Sequence, residues 1–69
     1  MTQKELSYIE DAIGHENNMI KICENIVSSL TDENLITFMD SEIKSHTNLR
    51  KELLKELEAK SNEWSNING

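Results

Sequence analysis

The chain has 69 residues, with 13 Asp plus Glu against 7 Lys plus Arg and a net charge of -6. That surplus opposes binding to phosphate backbones or anionic lipid, so nucleic acid and membrane surfaces are excluded as expected partners. A chain this short buries little core, and the single Cys23 cannot form an internal disulfide, so a metal or a second copy is expected to supply the missing stability.

The first residues, "MTQKELSYIE", carry no basic stretch followed by an apolar core, and no segment approaches the roughly 18 apolar residues of a membrane span. The chain reads as soluble and cytoplasmic. It has no proline, and its glycines are Gly14 and Gly69, so almost nothing interrupts helix formation.

Thr2 and Glu5 form a T-x-x-E capping box, which predicts a helix over about 3–29. Leu6, Ile9, Ile13, Glu16, Ile20, Cys23, Val27 and Leu30 follow at alternating steps of 3 and 4, a heptad stripe with one polar member, Glu16. Gly14 costs roughly 1 kcal/mol in a helix interior relative to Ala. The stripe nevertheless keeps its phase across it, so the helix is expected to run through.

The string "SSLTDEN" is the one internal turn signal. It predicts a turn near 30–32, with Thr31 or Asp32 capping a second helix over about 33–60 and acidic residues suiting its dipole. That helix offers Leu35, Met39, Glu42, His46, Leu49, Leu53 and Leu57 as its stripe, with the polar members again in the middle. The hairpin unit is therefore 1–61. Residues 62–69, "NEWSNING", continue no pattern and are expected to fray, with Trp64 free to dock elsewhere.

So short a turn makes the helices antiparallel neighbours. Each also carries a second stripe: Tyr8, Ala12, His15, Met19, Ile22 and Ile26 on the first; Ile36, Ile43, Arg50, Leu54 and Leu57 on the second. One partner helix cannot cover both stripes, because together they exceed the narrow contact line of a two-stranded coil. The expected architecture is all-α: a two-helix antiparallel hairpin that forms a homodimer, a four-helix bundle with two-fold symmetry.

Glu16, Glu42 and His46 would then sit in the core at mid-helix. Ionised groups are not left there uncompensated. Three readings follow: a structural one, in which Glu16 and Glu42 lean to the bundle edge or His46 bonds a carboxylate across the helices in a polar layer that fixes register, a metal site for iron, manganese or zinc, or a small-molecule pocket. The fragment "HENNM" is not the zinc-hydrolase HExxH, because Met19 stands where the second histidine belongs. His15 reads as a rim histidine and Cys23 as a buried thiol, with a ligand role beside Glu42 as its alternative. No serine-nucleophile motif or phosphate-binding glycine loop is present.

A mid-helix Glu16, the turn "LTDENL" and a second helix with central polar residues resemble half of a ferritin-like bundle, of the rubrerythrin, encapsulated-ferritin or spore coat F type. In the metal-binding members the first helix gives a Glu and the second a Glu-x-x-His. Here Glu16 matches the first-helix Glu, His46 stands at the second-helix Glu, and Leu49 occupies the histidine position. The resemblance implies a metal-handling oxidase in which Glu16, Glu42 and His46 are ligands, or a degenerate relative without metal. The same turn is similar to that of small two-helix phosphatases acting on sporulation regulators, whose S-Q-E-L-D signature this chain lacks. The expected role is structural or protein-interaction, with an unidentified protein as a further partner and metal oxidation as the enzymatic alternative.

Overall fold

The computed structural model describes the backbone of residues 1–68 and the side chains of 1–60. It contains two helices, α1 (Gln3–Val27) and α2 (Glu33–Asn68), packed against one another. Among the described residues there is no strand. Helix α2 runs to Asn68, past the end expected near 60, and the docking of Trp64 falls on a side chain outside those described.

Helix α1 starts where the capping box places it. Thr2 Oγ1 accepts from the Glu5 amide at 3.0 Å, and Glu5 Oε1 accepts from the Thr2 amide at 2.9 Å. Two orphan N–H groups are thus satisfied reciprocally. The helix ends at Val27, two residues before the expected end, because the amides of Ser29 and Leu30 turn back to the carbonyls of Ile26 and Val27. Asp32 is the cap of α2: its Oδ1 accepts from the Leu35 amide at 3.0 Å, and its carbonyl from the Ile36 amide. Gly14 sits within α1, as its unbroken phase requires.

The hairpin is a rod of 53 × 15 × 13 Å with a radius of gyration of 16.0 Å. A compact chain of this length would have about 11 Å. The core is correspondingly thin: among the described side chains Ile20, Cys23 and Glu16 are buried, and none is fully enclosed.

The α1 stripe faces α2 as the heptad spacing predicts, but α2 is rotated from the expected orientation. Ile36, Met39, Ile43, His46, Arg50, Leu53, Leu57 and Lys60 line the contact and are half-buried, whereas Leu35 and Leu49 are exposed. Both candidate stripes of α2 are apolar, so hydrophobicity alone does not choose between them. Charge does. Centring the contact on Glu42 and Leu49 would enclose a second carboxylate beside Glu16, whereas the observed rotation leaves Glu42 at the rim and brings Ile36 and Ile43 inward.

Stepping one residue back from the contact line gives Ala12, Met19 and Ile26 on α1 and Leu35, Glu42 and Leu49 on α2. Because the helices are antiparallel, these flanks share one face, which Tyr8, Ile22 and Phe38 extend. Tyr8 is 58% exposed, Ile22 50% and Phe38 59%. The opposite flank carries Glu10, Asn17, Glu24, Asp40 and Thr47, with Leu54 as its apolar member. The rod has one greasy side and one wet side.

Candidate functional site: a carboxylate, imidazole and carboxylate track

The heptad that makes α1 amphipathic also carries Glu16 to the middle of the interhelical contact, where it is 6% exposed. A buried carboxylate needs a donor. His46 supplies one from α2: its Nδ1 meets Glu16 Oε2 in a short hydrogen bond. An ionised carboxylate only accepts, so with Glu16 in that form Nδ1 is the donor. This pair is the cross-helix contact that the spacing of Glu16 and His46 anticipates.

Glu42 stands one turn before His46 on α2, and its Oε2 lies 4.0 Å from His46 Nε2. That distance is beyond a hydrogen bond but within ion-pair range when the imidazole is protonated. The three expected residues are therefore together, graded in exposure from buried Glu16 through His46 to Glu42, whose side chain is 41% exposed. Among the described side chains, no buried nitrogen or oxygen lacks a partner.

This arrangement bears directly on metal binding. The two carboxylates approach opposite nitrogens of one imidazole, so within one chain they do not converge on a single point. Among the described residues, no group of three or more His, Cys, Asp or Glu side chains is arranged to hold an ion. Cys23 is a buried free thiol, and His15 is exposed.

Across the contact line, Arg50 Nη1 donates to Asn17 Oδ1 at 2.9 Å. Sequence reading placed Arg50 on a second, outward stripe and gave Asn17 no role. The signal was available: Asn17 follows Glu16 on the polar flank, and Arg50 lies one turn after His46 on α2. The polar layer thus has two parts, the part-buried Glu16–His46 bond on the contact line and the exposed Arg50–Asn17 bond at its polar edge.

No helix among the described residues is long and apolar enough to cross a membrane. No family model, curated protein or solved structure matches the chain.

Proposed function

We propose that this chain is a self-associating helical hairpin, two copies of which form a four-helix bundle with a structural or protein-interaction role. The observation that carries the reading is the single exposed apolar face formed by Tyr8, Ile22, Ile26, Leu35, Phe38 and Leu49. A lone hairpin with Ile20 and Cys23 as its buried apolar residues encloses too little surface to offset the entropy of ordering two long helices. A second copy provides the missing cover. The Glu16 and His46 pair is then a register device, because sliding α2 by one turn would strand the Glu16 carboxylate. The lone Cys23, buried and with no second cysteine to pair with, is in keeping with an intracellular, cytoplasmic setting.

Sedimentation equilibrium tests the reading. A dimer at micromolar concentration is expected, and Phe38→Glu should convert it to monomer. A well-folded monomer at those concentrations would overturn it.

A second reading has a specific observation behind it: carboxylate and imidazole groups gathered at mid-helix, as in the metal-binding ferritin-like hairpins. One chain does not converge them, so an iron, manganese or zinc site would need ligands from both copies, and Glu16 would have to release His46. Elemental analysis of purified protein, followed by melting with and without chelator, decides the matter. One ion or more per dimer with a chelator-sensitive Tm would establish metal binding. A Tm indifferent to chelator, with no bound metal, would leave the track as a polar layer.

A further inference from the structure

We infer that Glu42 is the residue that keeps self-association weak and reversible: a carboxylate set in the centre of the apolar face, which a second copy must take out of water as it closes. This role rests on the self-association proposed above and is the same whichever way the second copy is turned.

Position makes the burial unavoidable. On a rod of two helices the middle of a side is the groove between them, and the residues bordering the contact line form its walls. On the greasy side these are Ala12, Met19 and Ile26 of α1 and Leu35, Glu42 and Leu49 of α2. Leu35, Glu42 and Leu49 follow one another at heptad spacing, so the charge interrupts a single apolar row. The bonds from His46 to Glu16 and from Arg50 to Asn17 put Glu42 level with Ile22, with Met19 and Ile26 to either side of it across the groove. Ala12, Met19 and Glu42 are already half-buried within one hairpin, whereas Glu10, Asn17, Asp40 and Thr47 on the opposite flank are exposed. A second copy that covers Leu35 and Leu49 therefore covers Glu42 between them.

The hairpin itself offers that carboxylate little in place of water. Among the described residues Glu42 makes no hydrogen bond, and its ion-pair partner is His46 Nε2 at 4.0 Å. The imidazole is already engaged by Glu16 through Nδ1. A carboxylate enclosed without a donor opposes association, as a lone polar residue in an apolar coiled-coil seam lowers stability while excluding wrong pairings. Ile22, Ile26 and Phe38 draw the copies together, and Glu42 limits how tightly they hold. The same charge protects the face while it is open, because it penalises any apolar partner that lacks a matching donor.

Sedimentation equilibrium on the unmodified chain and its variants tests this role. Glu42→Leu completes the row and should tighten the dimer at least about tenfold, equivalent to about 1.4 kcal/mol. Asp40→Leu makes the same change of charge and hydrophobicity on the wet flank, and should leave the Kd within about twofold. A Glu42→Leu dimer that is no tighter than the unmodified one, or weaker, overturns the inference: Glu42 then lies outside the interface or meets a donor from the second copy. Equal tightening by Asp40→Leu overturns it as well, because net charge rather than position would then set the affinity. Should Glu42→Leu lose its helical circular dichroism, Glu42→Gln against Asp40→Asn gives the same comparison, with tightening expected in the first alone. A monomeric unmodified chain overturns the self-association itself, whatever the variants do.

Discussion

At Gly14 a Cβ added to the backbone would meet nothing within 4 Å, so the glycine serves no close approach in the hairpin. Gly14→Ala should therefore stabilise the protein by about 1 kcal/mol through backbone entropy and helix propensity. For a chain of this size that corresponds to a Tm rise of about 4–8 °C, read by circular dichroism. An unchanged or lower Tm would mean that something packs against that surface. At Glu5 the amide of Thr2, with its hydroxyl adding to the effect, holds the carboxyl below its ordinary value of 4.5. A lowered value in the folded state means that this cap favours folding above the unfolded pKa and loses that contribution as pH falls through the folded one. Amide exchange at the first turn of α1 should accordingly quicken below about pH 4.5, relative to the mid-helix. Glu5→Gln keeps a side-chain acceptor for the Thr2 amide but cannot titrate, so it should remove that pH dependence. A first turn in the variant that still loosens with acid would assign the effect elsewhere.

At the scale of the element, the helices were legible because their signals are local. The T-x-x-E box and the Asp32 cap fix where the chain enters each helix, and the 3,4 spacing from Leu6 to Leu30 fixes which side of α1 turns inward. The rotation of α2 was not legible. Leu35, Ile36, Leu49, Leu53 and Leu54 place apolar groups on both flanks, so the periodicity left two faces open, and the choice rested on which polar side chain could be enclosed at least cost. The Glu16 and His46 pair has a consequence that a double-mutant cycle can measure. His46→Leu leaves a buried carboxylate without its donor and should cost about 1–3 kcal/mol in urea denaturation. Adding Glu16→Leu removes the orphan and should recover that loss or exceed it, because apolar pairs of similar volume often replace buried polar ones without penalty. Additive effects of the two changes would show that the residues do not depend on each other. The Arg50 bond to Asn17 is more exposed, and Asn17→Ala should cost less than His46→Leu in the same assay.

On the scale of the molecule, a rod 53 Å long and 13–15 Å thick has no interior beyond one line of side chains. Its composition foretold this, since 36% hydrophobic residues spread over two helices exceed what one contact line can bury. What composition could not say is that the surplus falls on one face; that follows from the antiparallel run of the helices together with the rotation of α2. If that face closes on a second copy, folding and association are one equilibrium, and apparent stability must depend on protein concentration. Tm should rise by several degrees between about 5 and 500 µM, since mass action favours the bundle as concentration climbs. Net charge works against this closure, because each copy carries -6 and like charges repel less as salt screens them. Sodium chloride should therefore raise Tm at fixed concentration. Phe38→Glu should flatten the concentration dependence and lower Tm together, because it removes apolar cover and adds a seventh uncompensated negative charge per copy. A Tm constant across that range in the unmodified protein would mean that the apolar face stays in water, and that the hairpin holds itself together by the contacts between α1 and α2 alone.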